Sequence, residues 1–252
     1  MNWELMNESW PELLAAVPVT LTLAASSLFL GFFLAVGISL MRVSKIWILS
    51  NFAYFFVYLF RSTPLLVQIF LIYYGSGQFR DFFESIGLWV FFREAWFCAI
   101  LSLTLNTAAY SSEIIRGGIQ SVPFGQIEAA KAVGMSKALL FRRITFPVAI
   151  RQALPGYGNE IILMVKATSL ASTITLLEIT GVAKKIISAT WSPIEIFIIA
   201  GIFYLTINFI VTRIIQALEI KLSPQLFRNR KSWWQSLRQN NRQTVKAPQT
   251  FR

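Results

Sequence analysis

The pattern of apolar and polar positions divides the chain before any single residue is considered. Charge-free runs cover residues 13–41, 46–60, 62–79, 95–112 and 196–212. A helix needs about 20 largely apolar residues to cross a hydrocarbon core roughly 30 Å thick. Strands are excluded for such runs, because lipid offers no partner to an open sheet edge. Five helical spans are predicted, at about residues 15–41, 50–75, 95–114, 153–176 and 196–214, the fourth interrupted by Glu160 and Lys166. The pattern therefore predicts an all-α integral membrane protein.

Composition agrees with this reading. The chain is 55% hydrophobic and only 14% charged, against about 25% charged for a soluble domain. Charge adds an orientation. Of the 23 Lys and Arg residues, 17 fall on one side of the predicted spans: two after the first, six after the third and nine after the fifth. Basic residues mark the cytoplasmic side. The N-terminus, with Glu4, Glu8 and Glu12, is then outside and the C-terminus inside, as an odd number of spans requires. The same rule accounts for the net charge of +11 without a nucleic-acid partner. The first basic residue is Arg42, so the first run lacks the basic start of a secretory signal and reads as a retained helix.

Chemistry is excluded more readily than assigned. The chain has no His, a single Cys (Cys98) and a single Asp (Asp81). No catalytic residue or metal site is predicted, and a membrane-embedded enzyme is disfavoured for lack of positioned acids and nucleophiles. No Gly-x-x-x-x-Gly-Lys-Ser/Thr occurs, so no phosphate-cradling loop of that kind is present.

The orientation places the stretch EAAKAVGMSKALLFRRITFP, residues 128–147, in the cytoplasm. Ser121-Val122-Pro123 is a helix-start signal. Gly134 can end that helix in a left-handed conformation. Ser136 can cap a second helix, which Pro147 is expected to stop. The paired Ala129 and Ala130 leave room for another surface to approach, and Glu128 suits the first turns of a helix. Helix, sharp bend and helix make a compact knob.

These residues resemble the cytoplasmic loop of permease subunits of ATP-binding-cassette (ABC) importers. That loop carries Glu-Ala-Ala, three residues, Gly, nine residues, then Ile-x-Leu-Pro. Here the matching residues are Glu128, Ala129, Ala130, Gly134, Ile144 and Pro147, with Phe146 in the leucine position. The segments 61–79, 101–136 and 157–181 resemble the polar amino-acid branch, most closely M-type permeases of arginine, histidine and opine importers. The resemblance covers roughly residues 10–225. It implies a permease domain at 1–225, followed by a basic cytoplasmic tail at 226–252. It implies a loop at 121–147 that docks on the ATPase, and a location in the bacterial inner membrane. It implies two ATPase subunits that bind ATP and Mg, no cofactor in this chain, and an external amino-acid-binding protein. A second, related permease subunit is also implied, a heterodimer being favoured over a homodimer. The substrate it implies is a cationic amino acid of the arginine, lysine, ornithine or histidine type. A secondary transporter or channel subunit is the alternative, and it has no need of the docking loop.

Polar groups inside a membrane are costly and are functional candidates by default. Ser102, Asn106, Tyr110 and Glu113 share one face of the third span. The face suits a ligand path, and it equally suits hydrogen bonds between helices. Glu113 is expected to pair with Arg116 at i+3. Glu160 and Lys166 are too far apart around the helix to pair with each other. Pro155, Gly156 and Gly158 predict a helix start or break near Glu160. Many relatives carry an acidic residue seven positions after the matching glutamate, where this chain has Ala167. Arg61, in Arg61-Ser62-Thr63-Pro64, either bonds the ends of an interrupted helix, which its shape favours, or lines the path.

Overall fold

The computed structural model describes residues 2–222, so the predicted tail at 226–252 lies outside the described residues. The described residues are helical, with no strand among them. The order is α1 (Trp3–Val43), α2 (Trp47–Ser62), α3 (Leu65–Gln78), α4 (Arg80–Ser85), α5 (Trp89–Phe92), α6 (Ala95–Gln120), α7 (Phe124–Ala132) and α8 (Lys137–Leu140). A π turn (Phe141–Thr145) leads into α9 (Phe146–Ala167). A 3-10 turn (Thr168–Ile174), α10 (Ile179–Thr190) and α11 (Pro193–Leu222) follow.

Helix α1 is longer than the run that predicted it. Its 41 residues reach about 60 Å at 1.5 Å per residue. Asn2 caps it by accepting from the Leu5 amide. The extension stays helical because it packs: Ser9 and Leu13 are buried, and the Trp10 ring lies tilted against Phe203 of α11, centroids 4.7 Å apart. Further along, Ala16, Thr20, Ala24, Ser27, Gly31 and Ala35 are all buried. They recur at spacings of three and four, so small side chains form the face on which α6 and the other helices lie. Small residues let membrane helices approach closely, where contact rather than water exclusion holds them together.

By length and composition, α1 and α11 are each apolar enough to cross a membrane. The pairs α2–α3 and 137–174 with α10 also qualify, although they bend by 102° and 46°. Helix α6, the predicted third span, is not among them, and burial explains its polarity. Ser102, Thr104, Thr107, Ser111 and Ser112 are turned inward against neighbouring helices, where lipid does not meet them.

The interruption expected at Arg61-Ser62-Thr63-Pro64 is present, because Pro64 holds Thr63 extended and α2 stops at Ser62. Three sequence expectations are corrected. Ser121 does not cap α7, since its hydroxyl donates to the Gly118 carbonyl and Pro123 stands at the helix start. Pro147 does not stop a helix. The chain stays helical from α8 into α9, since the wider π turn just before Pro147 relieves the clash of its ring with the carbonyl four residues back. Nor does the helix break near Glu160, since α9 runs through Pro155 to Ala167. Gly158 serves contact instead: a Cβ there would lie 2.5 Å from Ile215 Cγ2 of α11. The real break follows Ala167, and Thr175 ends it at φ +73°.

Candidate functional site

Two places gather the residues singled out above. The first is a cavity of about 410 Å³ beside the α2–α3 elbow. Arg61, Asn106, Tyr110 and Glu160 all line it, with Leu163, Met164 and Ala167. Glu160, Leu163, Met164 and Ala167 fall at i, i+3, i+4 and i+7, one face of α9. Lys166 lies off that face. It is exposed and does not line this cavity.

Glu160 is buried at 6% exposure. One carboxylate oxygen accepts from Thr107 Oγ1 of α6 at 2.8 Å. The residues of the polar face of α6 each find a partner within the protein. Ser102 satisfies itself on the Cys98 carbonyl at 2.7 Å. Asn106 donates to Gln68 Oε1 at 3.0 Å, and Tyr110 lies under the Arg61 guanidinium at 5.2 Å. Glu113 pairs with Arg116 at 2.6 Å, as the spacing predicts, and also with Arg42 of α1 at 3.3 Å.

Gln68, which sequence reasoning missed, is what ties the broken helix. Its amide nitrogen lies 2.8 Å from the Phe60 carbonyl and 2.8 Å from Thr63 Oγ1, while its oxygen holds Asn106. The helix-end role favoured for Arg61 therefore belongs to Gln68. A glutamine four residues after a proline, inside an apolar run, was the available signal. Replacing Gln68 by leucine is expected to leave the Phe60 carbonyl and Asn106 without that partner, at about 1 kcal/mol for each half-buried group. Thermal melting of the purified protein should fall by several degrees. An unchanged melting point excludes this tie.

Glu178 was also missed. It caps α10 through the Gly181 amide at 2.8 Å and accepts from Tyr204 at 2.6 Å, which pins α10 to α11. The signal was an acidic residue three positions before a glycine at the edge of an apolar run.

The second place is the knob. Helix α7 ends in a Schellman motif: Met135 N–H donates to the Ala130 carbonyl and Gly134 N–H to the Lys131 carbonyl, at 3.1 and 3.0 Å. Gly134 takes φ +79°, the left-handed value the sequence predicted. Ser136 then caps α8 through the Leu139 amide. Ala129, Ala130, Ile144 and Pro147 line one hollow of about 590 Å³, joined by Arg143 and Arg151. Glu128 and Gly134 are exposed and stand outside its lining. The two alanines differ in exposure. Ala129 is exposed, whereas Ala130 is buried at 3%.

A family model described as the binding-protein-dependent transport system inner membrane component matches residues 14–224. The chain belongs to this family. Among the permeases similar to it, the nopaline transport system permease protein NocM of Agrobacterium fabrum (strain C58) is 64% identical over 226 residues. That alignment covers 90% of this chain and 94% of NocM. The histidine/lysine/arginine/ornithine transport system permease protein HisM of Salmonella typhimurium (strain LT2) is 40% identical, over 86% of this chain and 95% of HisM. A solved structure titled as an amino acid ABC transporter with histidines aligns at TM-score 0.78 and 31% identity, covering 88% of this chain and 99% of that one. The chain is thus an ABC importer permease, a membrane subunit that leaves ATP hydrolysis to a separate subunit.

Proposed function

We propose that this permease moves a cationic amino acid of the arginine type, free or as an opine such as nopaline, inward across the bacterial inner membrane. The observation that carries the substrate class is the buried Glu160 carboxylate in a cavity that the Arg61 guanidinium also lines. A ligand with a cationic side chain and a carboxylate complements both. Glu160 takes the cation, and Asn106 and Tyr110 shape the passage between them. The similarity to NocM and HisM supports the same class. Deleting the gene in its host and measuring uptake of labelled arginine and nopaline tests this. Loss of uptake of at least one is expected, and unchanged uptake of both, with no other arginine-type ligand lost, overturns it.

We further propose five passages with the N-terminus outside, the knob at 121–147 inside, and one permease domain over 1–225 followed by a cytoplasmic tail. The basic residues Lys131, Lys137, Arg142, Arg143 and Arg151 support that side for the knob. In a Cys98→Ser background, Lys137→Cys should react with an impermeant thiol reagent only after permeabilisation. Asp81→Cys should react in intact spheroplasts. Reaction at position 137 from outside overturns the orientation. On this reading the knob docks in a groove of an ATP-binding subunit, where ATP and Mg are held. Two such subunits, a related second permease and an external binding protein complete the importer.

A further inference from the structure

A second cavity of about 350 Å³ adjoins the first and shares Arg61, Ser62 and Tyr110 with it. Its remaining polar lining is Arg42, Glu113, Tyr54 and Tyr58. The charge count within it is uneven. Glu113 is the one carboxylate of the lining, and two guanidinium groups already share it: Arg42 at 3.3 Å and Arg116 at 2.6 Å. Arg61 is left over. Among the described residues it makes no ion pair within 4 Å, and its contact is the face of Tyr110 at 5.2 Å. The structural duty expected of it, bonding the helix end, is performed by Gln68. A planar guanidinium is shaped to take a carboxylate in two parallel hydrogen bonds.

From these observations we infer that Arg61, at the wall between the two cavities, is the anchor of a carboxylate subsite. It receives the carboxylate of the transported amino acid, while Ser62 and Tyr58 offer hydroxyls around it. The inference rests on the reading of the first cavity as the cation site. It adds that the permease itself recognises the acid end of its ligand. The two ends are then read by different elements, the cation by α9 and the carboxylate by the C-terminal turn of α2. The 102° elbow after α2 is what brings that turn beside the face of α9.

Arginine and agmatine differ by the carboxylate alone, so their ratio isolates the subsite. Binding of each is measured by scintillation proximity on the detergent-purified permease–ATPase complex without the external binding protein, so that selection by that protein does not enter. The wild type is expected to bind arginine about tenfold tighter than agmatine, a single charged hydrogen-bonded contact's worth. Arg61→Gln should bring the ratio near one by weakening arginine alone, and Arg61→Lys should recover part of it. Glu160→Gln should weaken both ligands together. Co-purification of the ATPase with each variant reports folding. Arg61 makes no hydrogen bond within the described residues, so assembly is expected to persist. A wild-type preference that Arg61→Gln leaves unchanged overturns the subsite alone. A wild type that binds neither compound overturns the arginine-type reading and the subsite with it.

Discussion

Replacing Gly134 by valine is expected to leave the permease inserted at normal abundance and to cut ATP-driven uptake roughly 5- to 30-fold. The reason is conformational. Gly134 sits at φ +79°, and no atom lies within 4 Å of where a Cβ would be, so a larger side chain meets strain without a clash. The left-handed conformation costs a residue with a Cβ about 1–2 kcal/mol, and a β-branched residue sits at the upper end. That strain bears on two hydrogen bonds, Met135 to Ala130 and Gly134 to Lys131, which fix the angle between α7 and α8. A cost of 1–2 kcal/mol shifts a two-state balance roughly 5- to 30-fold, which is the size assigned to the loss of coupling. The helical bundle does not depend on this turn, so membrane insertion is spared. Glu128→Lys should act in the same direction but more weakly, since it reverses one exposed charge in a helix. Co-purification of the ATPase and ligand-stimulated ATP hydrolysis in proteoliposomes are the readouts. If both remain at wild-type levels in Gly134→Val, the knob is an ordinary surface feature and the docking proposal falls.

The knob was the most legible part of the chain, because its signals are local. A capping serine, a glycine and their spacing act within one or two turns, and the structure places Gly134 and Ser136 as those signals require. Pro147 was misread for the same reason. A proline rule concerns the four residues before it, and the π turn that relieves the clash is a property of the whole segment from Lys137 to Ala167. Spans were legible as existing and helical, but less so as lengths. Helix α1 extends to Trp3 only because Trp10 and Leu13 find partners on distant helices, and no run of apolar residues reports that.

The site was half legible. Arg61, Asn106, Tyr110 and Glu160 were each conspicuous as polar groups in apolar runs, and they do line one cavity. Lys166 was equally conspicuous and lies elsewhere, because one-dimensional polarity does not say which face of α9 meets α6. The glycines before Glu160 suggested a break, whereas their lack of a side chain answers to the approach of α11 at Ile215. Gln68 escaped notice because an amide in an apolar run looks less costly than a charge. Its importance comes from its two partners, Phe60 and Asn106, on other elements.

Glu160→Gln is expected to reduce uptake at low substrate concentration about 10- to 100-fold while leaving the fold intact. Glutamine keeps the shape and an oxygen to accept from Thr107 Oγ1, the contact that Glu160 makes at 2.8 Å. Packing around Met164 and the α6–α9 contact should therefore persist, and the ATPase should co-purify at the wild-type level. What the substitution removes is the negative charge. A hydrogen bond to a charged partner contributes about 1.5–3 kcal/mol, which is roughly one to two decades in affinity. The loss should appear as a raised KM, with less effect when the ligand saturates, because a binding contact rather than the ATP-driven step has been weakened. Removing Thr107's hydroxyl, as Thr107→Val, leaves the carboxylate charged but unsupported on α6, and should cost less than Glu160→Gln. A permease in which Glu160→Gln imports at the wild-type rate from dilute substrate has its cation site elsewhere. In that case the carboxylate serves only to hold α9 against α6, and Thr107→Val should then destabilise the protein as much as Glu160→Gln does.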